Sequence, residues 1–256
     1  MTGKPLAGYG VLVTRPVHLA GELEAAIVAA GGVAHLFPAI DVVPRDRDEL
    51  EEDLVARPRP DLIVYVSRNA VTHGYDGLPN DDVIVVAIGP ATREALDAVG
   101  VRVDVVPEGG YDSEHLLMHP AMQQVDGRAV LIVRGDEGRE LLGDTLRERG
   151  ATVDYLPVYS RVVHAASDGE LDALDTAWSE GRIDCVTVLS VATLEALLEI
   201  LPERCRIALP GTPLVTPSTR VIQTAQELVP GIRTTLAPGP RAGDMIPALI
   251  ACRESG

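Results

Sequence analysis

The chain has 256 residues, 46% hydrophobic and 23% charged, the composition of a soluble globular protein with room for one or two domains. Its formal net charge of −16 and 3% aromatic content speak against the basic face or base-stacking platform of a nucleic-acid binder. Taken at face value, the acidity favours a neutral or cationic ligand. Cys185, Cys205 and Cys252 are scattered, with neither a C-x-x-C pair nor a disulfide framework. No apolar run reaches signal-peptide or membrane-span length, so the expectation is a reduced, soluble, cytoplasmic protein with no membrane partner.

The predicted elements alternate strand and helix. A strand over Gly10–Thr14 is followed by a helix over Leu19–Ala30, which puts Leu23, Ile27 and Ala30 on one face and stops at Gly31-Gly32. An extended run with a proline, Phe37-Pro38-Ala39-Ile40-Asp41, comes next. Strands are then expected at Asp61–Ser67, Val83–Gly89 and Arg128–Arg134, and a helix at Arg139–Arg149 that ends at Gly150. A second proline-containing run, Leu156-Pro157-Val158-Tyr159-Ser160, precedes a strand at Asp184–Ser190, a helix at Thr193–Leu201, a strand at Pro213–Thr216 and a helix at Thr219–Leu228. The strands are rich in Val, Ile and Leu without polar alternation, as in parallel sheets covered on both faces. Proline in the two extended runs suits an exposed linker strand rather than a central one. Ordinary strand connections and interdomain crossovers are both open readings of them.

The chain also repeats itself. A shift of 119 residues lays Val11-Leu12-Val13-Thr14-Arg15 over Val130-Leu131-Ile132-Val133-Arg134, Gly31 over Gly150 and Pro38 over Pro157. A shift of 123 lays Asp61–Ser67 over Asp184–Ser190, and one of about 129 lays Val86–Gly89 over Val215–Ser218. Two similar α/β halves follow, with a period too long for a solenoid.

Ligands of open parallel sheets bind beyond the carboxyl ends of the strands. Those ends read Thr14-Arg15-Pro16, Ser67-Arg68-Asn69, Gly89-Pro90-Ala91-Thr92, Arg134-Gly135, Ser190-Val191-Ala192-Thr193 and Thr216-Pro217-Ser218-Thr219-Arg220. Hydroxyls, backbone N–H groups and helix N-termini gathered in one region suit an anion. Taken singly, each Ser or Thr is equally a helix cap. The two repeats also differ: Tyr159 lies over Ile40, Arg68 over Val191 and Thr92 over Val221. Gly8-Tyr9-Gly10 precedes its strand, so it is no dinucleotide fingerprint, and P-loop, serine-hydrolase and H-E-x-x-H motifs are missing. His115 and His119 are spaced i, i+4 without an evident third ligand, and read as surface histidines rather than a metal site.

The strand-end motifs, together with Phe37-Pro38-Ala39-Ile40, Tyr111-Asp112-Ser113-Glu114, Gly138-Arg139 and Val158-Tyr159-Ser160, occur in an order that resembles the uroporphyrinogen-III synthases from about residue 9 to 250. The resemblance implies two doubly wound parallel-sheet α/β domains joined by a two-stranded linker. One is discontinuous, residues 1–37 with 164–256; the other is 42–159; the linker strands are 38–41 and 160–163. It implies that the first βα unit of each repeat sits in the domain built mostly by the other. The implied reaction closes hydroxymethylbilane, a linear tetrapyrrole polycarboxylate, with inversion of its last ring and loss of water, using no metal or organic cofactor. Tyr159 matches the tyrosine proposed to assist hydroxide departure. Thr92, Ser67, Ser113 and Ser190 match cleft-facing positions. With Arg68, Asn69, Gly89 and Ser218 they form the implied substrate-binding set, and Arg15, Arg134 and Arg139 would compensate substrate carboxylates. Arg15 and Arg134 are equally open to a structural role. Ala192 stands where many relatives carry a second serine. A polyanionic substrate implies a locally positive cleft in an acidic protein. The family suggests a monomer, with transient contact to the enzyme that produces hydroxymethylbilane. Two competitors are a non-enzymatic binder of another carboxylated ligand and a regulatory module derived from the synthase.

Overall fold

The structure is a computed structural model and describes residues 3–74, 78, 81–138 and 140–255. In chain order, strand β1 (Gly10–Val13) leads into helix α1 (Val17–Ala29), β2 (Val33–Leu36), β3 (Ile40–Pro44), α2 (Arg47–Val55), β4 (Leu62–Tyr65) and α3 (Arg68–Thr72). Then come β5 (Ile84–Ala87), α4 (Pro90–Ala98), α5 (Ser113–Met118), α6 (Pro120–Gln123), β6 (Ala129–Gly135), α7 (Leu141–Glu148) and β7 (Thr152–Val163). The chain finishes with α8 (Asp168–Ser179), β8 (Cys185–Thr187), α9 (Val191–Ile200), α10 (Glu203–Ala208), β9 (Leu214–Thr216), α11 (Thr219–Leu228), β10 (Thr234–Leu236) and α12 (Ala242–Glu254). No described helix is long and apolar enough to cross a membrane.

The chain divides into two compact units: Met1–Asp41 with Val162–Gly256, and Val42–Arg161. Each is built on a five-stranded sheet, in the orders β10-β9-β8-β1-β2 and β3-β7-β6-β4-β5. The β1–β2, β1–β8, β4–β5, β4–β6 and β6–β7 pairs are all parallel. In the first unit, β1, α1 and β2 of the first repeat join β8 and β9 of the second through the β1–β8 pair. In the second unit, β4 and β5 of the first repeat join β6, α7 and β7 of the second through the β4–β6 pair.

The apolar strands are covered on both faces, and successive side chains go to opposite layers. In the Val42–Arg161 unit, Leu62, Val64, Val130 and Ile132 pack with Leu116, Met122, Leu142 and Leu146. Their neighbours Ile63, Tyr65, Leu131 and Val133 pack on the other side with Leu50, Ala70, Leu96 and Tyr159. The other unit repeats the pattern: Leu12, Val186 and Leu214 face Leu174, Leu194 and Leu197, while Val11, Val13 and Val215 face Leu23, Ile27 and Leu249. Gly31 and Gly150 both take a left-handed backbone, φ 93° and 89°, where the chain leaves α1 and α7.

One expectation needs correcting. Pro157 is not in an exposed linker strand: it lies within β7, which stands between β3 and β6 in the sheet order. The register explains the tolerance. Arg134 pairs with Pro157 and Gly135 with Tyr159, so the ladder breaks at a bulge just where proline has no N–H to give. Strand β2 was missed because it is a partly exposed edge strand interrupted by His35, and lacks the continuous apolar signature.

Candidate active site

The bulge also aims Tyr159. It sits near the carboxyl end of the β6–β7 pair, and its own carbonyl accepts a 2.9 Å bond from the Asp136 N–H. Its side chain is 2% exposed and its ring lies against Gly135. A Cβ at position 135 would come within 2.8 Å of Cε2 and 2.9 Å of Cζ, so only glycine lets the backbone approach this close. The His73 ring flanks Tyr159 at 5.9 Å between centroids, tilted by 55°.

The phenol oxygen has two polar neighbours. The Ser67 hydroxyl oxygen is 3.3 Å away, and Arg161 donates to the phenol from Nη2 at 3.2 Å. Ser67 is the N-cap of α3, accepting a 3.0 Å bond from the Ala70 N–H. It follows β4 directly, so the strand–helix junction places it in the same layer as the end of β7. Ser67, Tyr159 and Arg161 line a cavity of about 330 Å³ within this unit, together with Ser113, Arg134 and Gly135.

Arg134, near the end of β6, is 6% exposed. It donates from Nη1 to Glu140 at 3.0 Å and from Nε to the Gly135 carbonyl at 3.2 Å, and stacks 4.7 Å from the centre of the Tyr155 ring. Arg147 approaches the same ring at 5.2 Å. Burial first, and then the adjacent Glu140 carboxylate, push the Tyr155 phenol above its ordinary value, so Tyr155 stays neutral. The cavity carries charges of both signs among the described residues. Its described lining carries Asp112 and Glu137 as well as Arg134 and Arg161.

The remaining candidates are distributed. Arg68 is exposed on the first turn of α3, and Asn69 beside it is buried. Gly89 caps α4 and abuts Tyr111, a cavity residue. Thr92 is buried one turn further on, its N–H bonded to the Gly89 carbonyl at 3.1 Å. Neither is among the residues lining the cavity. Arg15, Ser190, Ala192 and Ser218 belong to the other unit. Arg15 is buried and donates from Nη2 to the Pro240 carbonyl. Ser190 and Ser218 cap α9 and α11, and Ser190 also meets the Thr193 hydroxyl at 2.8 Å. Ala192 is exposed on the first turn of α9. Arg139 lies outside the described residues. His115 and His119 do not share a helix turn: α5 ends at Met118, His115 meets Asp112 at 2.6 Å, and His119 accepts from the Ala121 N–H at 3.2 Å. Arg161 was overlooked. Its signal was present, because two residues beyond Tyr159 on a strand is the same side of the sheet.

Each unit is thus an open, mostly parallel sheet with helices starting at its strand ends, the class of protein that holds its ligands at those ends. The chain belongs to the uroporphyrinogen-III synthase family, whose model, "Uroporphyrinogen-III synthase HemD", matches residues 21–246. The uroporphyrinogen-III synthase of Escherichia coli is 34% identical over 234 residues, covering 85% of this chain and 91% of the relative. That of Salmonella typhimurium is 32% identical over 233 residues, with the same coverage of each. Among solved structures, uroporphyrinogen-III synthetase from Helicobacter pylori matches the fold with a TM-score of 0.66 at 13% identity, over 95% of this chain and 99% of that one. A mutant uroporphyrinogen III synthase from Thermus thermophilus matches with a TM-score of 0.61 at 19% identity, over 97% and 100%.

Proposed function

We propose that the chain is a uroporphyrinogen-III synthase, a cyclising hydro-lyase that closes hydroxymethylbilane with inversion of its last ring and loss of water. The observation that carries this reading is the Tyr159 hydroxyl, held at a strand end between Ser67 and Arg161 in a cavity. Departure of the substrate hydroxyl leaves a delocalised azafulvene cation. The cation attacks through a spiro intermediate and rearranges to the closed ring. A neutral phenol hydrogen-bonding to the leaving oxygen lowers that barrier without becoming a strong acid. The larger task is entropic, holding the two ends of a flexible chain together. Capped helix N-termini after β4, β5, β8 and β9 offer backbone N–H groups to the acetate and propionate carboxylates. The substrate-binding set is Arg15, Ser67, Arg68, Asn69, Gly89, Thr92, Ser113, Arg134, Arg139, Ser190, Ala192 and Ser218, with Arg15, Arg134 and Arg139 compensating the substrate carboxylates. The expected setting is a cytoplasmic monomer, built as the two domains and linker strands the resemblance implies. It would receive its unstable substrate from the enzyme that makes it. The test is a coupled assay that supplies hydroxymethylbilane and resolves the isomers. Type III product supports the reading; type I alone, the spontaneous product, sinks it.

A further inference from the structure

Ser67 and Arg161 meet the Tyr159 hydroxyl at one point. The Ser67 oxygen accepts from the Ala70 N–H and lies 3.3 Å from the phenol oxygen, a contact in which either hydroxyl can donate. The Arg161 guanidinium, which has donors and no acceptor, points Nη2 at the same oxygen from 3.2 Å. Its Cζ lies 5.7 Å from the ring centre, so the cation stays close to the ring whatever the torsion of the phenol proton. Arg161 can only donate to the phenol oxygen, and where Ser67 donates as well the phenol oxygen is an acceptor twice over. The one direction then left for its proton is away from both, into the cavity that all three residues line.

We propose that Arg161 is a positioning residue: it donates to the Tyr159 oxygen so that the phenolic proton is presented to the cavity rather than spent on Ser67. A charge-assisted donor also draws electron density from the phenol oxygen and strengthens the hydrogen bond that the phenol gives. The inference rests on the assignment of Tyr159 as the group that assists hydroxide departure. Arg161 itself is exposed at the rim and acts through Tyr159 rather than on the reacting atoms.

The experiment is a double-mutant cycle with a spectroscopic arm. Arg161→Met should lower kcat about tenfold and leave KM within about threefold, a small share of what an oriented acid contributes. Arg161→Lys should restore most of that loss, since an ammonium also donates. In a Tyr159→Phe background, Arg161→Met should cost less than about twofold, because residues acting as one unit are not additive. A tenfold loss that persists without the phenol, or a rise in KM with kcat unchanged, overturns the proposal and makes Arg161 a direct substrate contact. In the spectroscopic arm, the chain carries tyrosine labelled with 13C at Cζ, and the Tyr159 signal is identified by its disappearance in Tyr159→Phe. That signal should move in Arg161→Met and return toward its original position in Arg161→Lys; an unmoved signal overturns the proposal. The arm needs no turnover. A chain that yields only type I isomer would therefore refute the synthase reading while the Arg161–Tyr159 contact is still judged by the resonance.

Discussion

The two units carry the same strand-end positions and different chemistry. Arg15 and Arg134 are repeat equivalents, as are Ser190 and Ser67, and Ile40 and Tyr159. Both arginines are buried, one on the Pro240 carbonyl and the other on Glu140. Both serines cap the following helix, Ser190 through the Thr193 N–H at 3.1 Å and Ser67 through the Ala70 N–H at 3.0 Å. The difference lies one strand away. Where the first unit buries Ile40 among apolar side chains, the second buries a tyrosine and surrounds its hydroxyl with Ser67 and Arg161. The scaffold therefore accounts for the caps and the buried cations, which occur twice. The phenol and its two polar neighbours distinguish the second unit, and that is where reaction chemistry is to be sought. A serine common to both units has a structural duty in each before it has any other.

Breaking this asymmetry should cost most at the phenol. Tyr159→Phe is expected to lower type III synthesis about 100-fold, the low end for a positioned acid, without abolishing it. A single-turnover rate equal to that of the parent chain would remove Tyr159 from the mechanism. Next comes the glycine that lets the ring lie flat on the strand. Gly135→Ala is expected to reduce turnover about tenfold by pushing the Tyr159 ring off its place, since a misplaced group loses its catalytic orientation. A variant structure with the ring unmoved and the rate reduced would separate the two effects. The serine pair sharpens the comparison directly. Ser67→Ala and Ser190→Ala should each lose a cap, about 1 kcal/mol by denaturant unfolding. Only Ser67→Ala should also lower kcat, by about fivefold, as expected of one neutral hydrogen bond. Equal kinetic losses from both would place the two units on the same footing.

The smallest effect concerns the first unit and its pH response. His164 follows β7 and meets Asp41 at 2.8 Å and Glu170 at 3.4 Å, with the Phe37 ring edge-on at 6.4 Å. Burial opposes its charge, but the two carboxylates outweigh that and raise the imidazole above its ordinary value. A raised folded value means that the stabilisation is full below the unfolded value of about 6.5. It is lost as pH rises through the folded one. The melting temperature should thus fall by about 2 °C more between pH 6 and pH 9 for the parent chain than for His164→Gln. Parallel curves for the two proteins would show that the His164 charge adds nothing.

Much of the architecture is readable in the amino acids alone. Unbroken Val, Ile and Leu runs mark strands that are covered on both faces; β1, β4, β5, β8 and β9 fall within such runs, and β6 extends one residue past its own, to Gly135. Helix α11 occupies Thr219–Leu228, the span its caps predict, because apolar periodicity and a serine cap are local signals. Repeat shifts in the sequence name the equivalent strand ends, and family motifs name Tyr159. Tertiary structure decided the rest. Pro157 belongs inside a sheet because a bulge at Arg134/Gly135 frees it from the ladder, and register is a property of two strands, not of one. One cavity gathers Asp112 and Glu137 with Arg134 and Arg161 on its described lining, residues that come from separate segments of the chain. Arg161, which donates to Tyr159, had a local cue in its i+2 spacing. That its guanidinium reaches the phenol oxygen, with Ser67 from 92 positions earlier completing the pair, is a matter of three-dimensional placement that no local pattern encodes.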